Sequence, residues 1–157
     1  MKALTIWQPW ASLIAIGAKP YEFRGWQAPR SVCGQRIAIH AGARKVQRQE
    51  VQDLLLRLGS DEAWTTALRP ALAIPLLERA LTSPGVLPLS SVLCTAVLGT
   101  PVHGLDNLVL GEFDPPILND SDRAEHANWA WPLRQIELLM PPVEAKGAQG
   151  FWNWGGP

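Results

Sequence analysis

The spacing of apolar positions changes several times along this chain, and each change marks an element. Lys2–Ile6 alternates loosely and reads as a strand. Gln8–Gly17 carries a proline in its first turn and a glycine at its end, the punctuation of a short helix. Tyr21–Arg24 alternates as a strand does, and so does Gln35–His40, which Gly42 ends. From Lys45 to Leu58 the positions Val46, Val51, Leu54, Leu55 and Leu58 recur at helical spacing, and Gly59 closes the run. Residues 62–82 are again helix-like, but Pro70 and Pro75 interrupt them, which predicts two short helices or a kink. After the turn Ser83-Pro84-Gly85, Ser90–Val102 reads as one long strand bent at Gly99. Trp129–Trp131 reads as a short strand and Leu133–Met140 as a longer one, while Gly147–Trp152 reads as a final turn that packs aromatics. Strands and helices do not alternate regularly. The order predicts an α+β fold: a small, mostly antiparallel β-barrel or curled sheet with helices beside it. Length and the absence of a linker predict a single domain over 1–157.

Composition narrows the class. With 47% hydrophobic and 18% charged residues the chain has the means to build a core. It has no apolar run long enough for a membrane span and no signal-like start, so a cytoplasmic protein away from membranes is expected. No glycine-rich phosphate loop of the GxGxxG or GxxxxGK[ST] type occurs, so no cofactor is expected. Cys33 and Cys94 are too few for a disulfide framework or a structural zinc site. Cys94 lies in an apolar run and reads as a buried thiol; Cys33 has basic neighbours but no base to activate it. His103 and His126 flank an acidic stretch at spacings that match no compact ligand pattern, so no metal is expected. Sequence alone leaves the oligomeric state open.

The net charge of zero conceals a division. Residues 1–50 hold eight basic groups against two acidic ones, a surplus of six that the rest of the chain reverses. The acidic density is concentrated in 104–126, which reads as a long surface excursion, either solvated, gating a site or docking a protein partner. Eight tryptophans stand against one tyrosine and three phenylalanines. Most are expected in the core, with the two chain ends meeting around it, and one or two at a site where a base could stack.

The richest candidate cluster is Gly17-Ala18-Lys19-Pro20-Tyr21-Glu22-Phe23-Arg24. A helix stops, a strand follows at once, and residues two apart on that strand share a face. Glu22 and Arg24 therefore lie on one side and Tyr21 and Phe23 on the other, with Lys19 able to lean over. Arg36, Ala38 and His40 share a face of the next strand. If the two strands belong to one sheet, Lys19, Glu22, Arg24 and His40 can converge. For RNA or a nucleotide ligand, Lys19, Arg24, Arg36, Arg44 and Lys45 are candidates for phosphates, Trp10 or Trp26 for a base, and Glu22 for an exocyclic amine. For RNA cleavage, His40 or Glu22 would act as base, and Lys19 and Arg24 would stabilise the phosphate in the transition state. A salt bridge of Glu22 with Lys19 or Arg24 is the structural alternative.

The segments Gln8–Ile14 and Gly17–Arg24, with the spacing G-x-K-x-x-E-x-R, resemble the signature of ASCH domains, named for activating signal cointegrator homology. Arg36–Ala41, Ser91–Val102, Asn128–Leu133 and Pro141–Trp152 resemble the later parts of such domains in the right order, so that the likeness covers most of the chain, least typically at 45–85 and 104–126. The resemblance is to a single-domain bacterial-type member. It implies a PUA-like β-barrel with flanking helices and a cleft lined by the motif. It also implies RNA binding, with ribonuclease activity linked to some single-domain members. Another branch resembles an amidohydrolase of acetylated cytidine, using a Lys, a Thr three residues later and a Glu from a later strand. Lys19 is present here, but Glu22 stands where that Thr would be, so the nucleophile of that branch is missing.

Overall fold

The computed structural model describes residues 1–103 and 129–156. Its strands are β1 (Lys2–Ile6), β2 (Tyr21–Arg24), β3 (Arg36–Ala41), β4 (Ser91–Leu98), β5 (Val102–His103), β6 (Trp129–Glu144) and β7 (Phe151–Asn153). The helices are α1 (Trp10–Ala15), α2 (Arg48–Leu58) and α3 (Pro70–Thr82), with 3₁₀ turns at Ala63–Thr66 and Pro84–Val86. The strands form one curled sheet in the order β2-β6-β4-β3-β1-β7, with β5 also on β6. Only the β1–β3 pair is parallel among these pairings; the rest are antiparallel. The chain passes through α1 and β2 before returning as β3, the long crossover that a parallel pair needs. This mostly antiparallel curled sheet with flanking helices is the α+β fold expected from the pattern. The acidic excursion 104–126 lies outside the described residues, and so does His126.

Several boundaries differ from the sequence reading. Pro70 is the first residue of α3, where its missing N–H costs nothing, and Pro75 lies inside a helix that continues to Thr82. The residues before it form only the 3₁₀ turn. The long strand expected over 90–102 stops at Leu98. There Gly99 donates its N–H to the Pro132 carbonyl at 2.7 Å, and a Cβ on Gly99 would stand 2.9 Å from that of Pro132. The two strands expected on either side of Pro132 are one strand, because β6 changes partner at that point. Trp129–Pro132 pairs with β2 and Leu133–Glu144 with β4. A proline at a change of partner leaves no ladder donor missing in mid-sheet. The final aromatic turn is the short strand β7, paired with Lys2–Leu4. The two chain ends meet there, and the amino terminus donates to the Trp154 carbonyl at 2.8 Å.

Alternation decides which side chains fill the curl. Leu4 and Ile6 of β1, Ile37 and Ile39 of β3, Cys94, Ala96 and Leu98 of β4, and Trp131 and Leu133 of β6 form one buried cluster. Ala11, Ile14 and Ala15 of α1 join it. Leu13 of the same helix enters a second cluster with Val51, Leu54 and Leu58 of α2 and Ala73 and Leu77 of α3. Residues 11–15 are thus buried without a break, and α1 is a plug between barrel and helices. Among the described residues no helix is long and apolar enough to cross a membrane.

Candidate functional site

The segment between α1 and β2 is fixed before it reaches any functional side chain. Gly17 takes φ +75°, the left-handed turn that ends the helix. The Ala18 and Lys19 amides donate to the Leu13 carbonyl at 2.9 and 3.0 Å, and the Arg69 guanidinium donates to the Gly17 carbonyl at 2.8 Å. Lys19 therefore enters the interior in a set direction and is 2% exposed. Its Nζ lies 3.9 Å from Glu22 Oε2 and about 5 Å from the rings of Trp10 and Phe23. A carboxylate and two aromatic faces offset the loss of hydration of the ammonium.

Glu22 is also buried, and its Oε1 accepts from Arg24 Nη2 at 2.9 Å. One carboxylate thus lies between two cations. Arg24 reaches farther. Its Nη2 also donates to the Thr5 carbonyl at 3.2 Å, while its Nε is buried without a hydrogen-bond partner. Arg24 lies on β2 and Thr5 on β1, with β6, β4 and β3 between them along the sheet. The guanidinium therefore joins two parts of the sheet that its curl brings together. Pairing of β1 with β7 ends at Leu4, so the next carbonyl is left for Arg24.

Thr5 also leads to His40, its partner in the parallel register. The Trp152 indole N–H donates to Thr5 Oγ1 at 3.1 Å, and Thr5 Oγ1 lies 3.2 Å from His40 Nδ1. His40 Nε2 lies 2.9 Å from the Ala145 carbonyl. One assignment satisfies all these groups: Nε2–H donates to Ala145, and Nδ1 accepts the Thr5 hydroxyl proton. Burial lowers the pKa of His40 from its ordinary value, and the hydrogen bond to the Ala145 carbonyl opposes that shift in part. Burial thus favours the neutral ring, and both of its nitrogens are engaged.

Thr5, Arg24, His40 and Ala145 border a cleft of about 1070 Å³. Its lining includes Thr5 and Trp7, Arg24, His40 and Gly42, and the segment 144–150. Arg24 and Lys146 bring positive charge and Glu144 negative charge. Trp7 is 52% exposed and carries the Arg44 guanidinium over its ring at 4.4 Å. The Arg44 nitrogens reach Glu50 at 2.8 and 3.3 Å. Among the described residues no group of three His, Cys, Asp or Glu side chains is arranged to hold a metal ion.

The structure brings Lys19, Glu22 and Arg24 together, and it brings Arg24 and His40 to one cleft through Thr5. Lys19 and Glu22 stand behind Arg24, outside the cleft lining. Of the expected tryptophans, Trp10 is half-buried between the two core clusters. Trp26 is partly exposed but packs edge-on against Trp131, with centroids 4.7 Å apart. Neither lines the cleft. Arg36 lies at the far end of β3 from His40, bonded to Thr95, Gln135 and Glu137. Lys45 is exposed beside Arg44. Sequence reasoning passed over Trp7, Thr5 and the segment 144–150. The signals were there: Trp7 follows the inward-facing Ile6, and Lys146-Gly147 and Gly150 cluster just before the last aromatics.

The sequence profile of the ASCH domain matches residues 4–82, from β1 to the end of α3. That span includes Thr5, Trp7, Lys19, Glu22, Arg24 and His40. No curated protein matches the chain.

Proposed function

The chain belongs to the ASCH domain family, and from that premise we propose that it is an RNA- or nucleotide-binding protein whose ligand occupies the cleft between β1 and the segment 144–150. The observation that carries the reading is the pairing on one cleft of an exposed aromatic plane, Trp7, with a guanidinium held in place, Arg24. A base stacks on an indole irrespective of its identity, and a guanidinium recognises phosphate oxygens through its fork of N–H donors. Arg24 is oriented by Glu22 and by the Thr5 carbonyl, so little freedom is lost when it meets an anion. The volume suits a nucleotide or one turn of a single strand, given that small-molecule sites commonly span ~300–1,000 Å³.

Binding is preferred to cleavage for a reason of proton bookkeeping. A general base needs a free lone pair, and both His40 nitrogens are engaged. The cleavage reading then rests on Glu22, already bonded to Arg24 and outside the cleft lining. Fluorescence anisotropy with a labelled single-stranded oligoribonucleotide tests the proposal. Wild-type protein is expected to bind with an affinity that falls as salt rises. Trp7→Ala is expected to weaken binding roughly tenfold, as the loss of one stacked base would. Absence of binding at low salt, or full affinity in Trp7→Ala, overturns the reading. Shortening of the RNA that Glu22→Gln abolishes while binding persists would support the ribonuclease reading instead.

A further inference from the structure

Arg44 belongs to the basic first third of the chain, and from sequence it is a candidate phosphate contact. Its surroundings point elsewhere. Two of its nitrogens are bonded to the two carboxylate oxygens of Glu50. Glu50 lies in the first turn of α2, where a carboxylate is favoured by the helix dipole and its backbone is fixed. The charge of Arg44 is thus answered within the protein. What the ion pair delivers is a guanidinium over one face of Trp7, 4.4 Å from the ring. Trp7 lines the cleft, whereas Arg44 is not part of that lining. The edge of the ring at Cδ1 lies against Gly42, where a Cβ would come within 3.3 Å.

We propose that Arg44 and Glu50 are positioning residues for Trp7, holding a cation on one face of the indole so that its other face is a fixed, one-sided stacking wall for a single unpaired nucleobase. This deepens the base-binding reading of the cleft and rests on it. The physical basis is twofold. An exposed tryptophan samples several rotamers, and fixing one before the ligand arrives removes that cost from binding. A planar cation over the ring also occupies one face, so the wall accepts one base rather than inserting between two. The ligand class that follows is single-stranded RNA or a free nucleotide with an accessible base.

The sign of one effect separates this role from a phosphate contact. Glu50→Gln would release Arg44, and a phosphate-binding Arg44 would then bind RNA more tightly. A positioning Arg44 loses its hold on Trp7, and RNA binds more weakly. The experiment combines two measurements on the full chain. The first is the ¹⁹F spectrum of protein labelled with 5-fluorotryptophan, with the Trp7 resonance assigned by Trp7→Phe, in the absence of RNA. The second is anisotropy with a single-stranded oligoribonucleotide across a salt series. In Arg44→Gln and in Glu50→Gln the Trp7 resonance is expected to shift or broaden, and affinity to fall roughly threefold to tenfold. The slope of log K against log salt is expected to stay unchanged in Arg44→Gln, since no phosphate contact is removed. An oligonucleotide of the same length without bases is expected to bind the variants and the wild type alike. An unmoved Trp7 resonance in both variants overturns the positioning role whatever the RNA does. So does tighter or equal binding by Glu50→Gln while Trp7→Ala has lost affinity, and the cleft reading then stands without it. Failure of the wild type to bind the oligonucleotide overturns the reading and the ligand class together.

Discussion

The Arg24 guanidinium donates to the Thr5 carbonyl across a curled sheet in which three strands separate the two residues. One side chain therefore joins β2 to β1 where no backbone ladder does. The same guanidinium holds Glu22, and Glu22 in turn lies beside Lys19. A stretch of six residues, Lys19–Arg24, thus ties the end of a helix, an outer strand and the rim of the cleft into one polar unit.

Replacing Arg24 by Ala removes a partner of a buried carboxylate and the donor to Thr5. Loss of one partner of a buried pair costs about 3–5 kcal/mol. The lower end is expected here, because Lys19 remains near Glu22. Urea denaturation of Arg24→Ala beside the wild type measures it. Arg24→Lys is expected to recover only part of the loss, since one ammonium cannot readily reach both Glu22 and the Thr5 carbonyl. A fully stable Arg24→Ala would show that the polar unit does not hold the sheet together.

Gly147 is packed against the centre of the site. A Cβ there would stand 2.6 Å from His40 Nδ1 and 2.8 Å from Thr5 Oγ1, and would also strike His40 Cε1. Gly147→Ala is expected to displace the 144–150 wall, cost about 1–3 kcal/mol and weaken any ligand of the cleft. Gly150→Ala meets no atom within 4 Å, but its φ of +68° is strained for a side chain. It is expected to cost about 1–2 kcal/mol through the backbone alone. Thermal unfolding with ligand titration separates the two mechanisms: only Gly147→Ala should impair the cleft beyond its effect on stability.

His40 makes stability depend on pH in a definite direction. Its folded pKa is lowered from the ordinary value of 6.5, mainly by burial. The unfolded chain then binds the proton more readily, so this contribution is complete above about pH 6.5 and is lost as pH falls through the lower folded value. Denaturation midpoints measured from pH 8 down to pH 5 should fall in the wild type and fall less in His40→Gln. Equal slopes in the two proteins would rule out this role for His40.

The two cysteines should differ in reactivity. Burial pushes the Cys94 thiol up to about 12, whereas Cys33 is only half-buried. Iodoacetamide at pH 8 is expected to label Cys33 in the folded protein and both thiols in denaturant. Mass spectrometry of the labelled peptides reads the result, and rapid labelling of Cys94 under native conditions would contradict its place in the core.

Much of the fold was legible because its information is local. Alternation in Tyr21–Arg24 marked β2 to the residue, and the helical spacing of Val51, Leu54 and Leu58 with the stop at Gly59 marked α2. Pro132 misled because a proline breaks a strand only where its missing N–H is needed. At Pro132 the strand changes neighbours, and only the assembled sheet shows that. The cluster Lys19, Glu22 and Arg24 was likewise legible from its spacing on a helix stop and a strand.

What the sequence determined by itself was therefore most of the elements, the mixed fold class, the family-like motif and the common face of Glu22 and Arg24. Tertiary structure decided which of these residues reach the cleft. It set Arg24 on Thr5, engaged both nitrogens of His40, left Lys19 and Glu22 outside the cleft lining, and chose Trp7 over Trp10 and Trp26 as the aromatic of the cleft. Faces follow from a period of two along one strand, which sequence contains. Cleft membership depends on how far the sheet curls and on which segment covers it, and those are set by packing between residues as distant as Thr5 and Trp152.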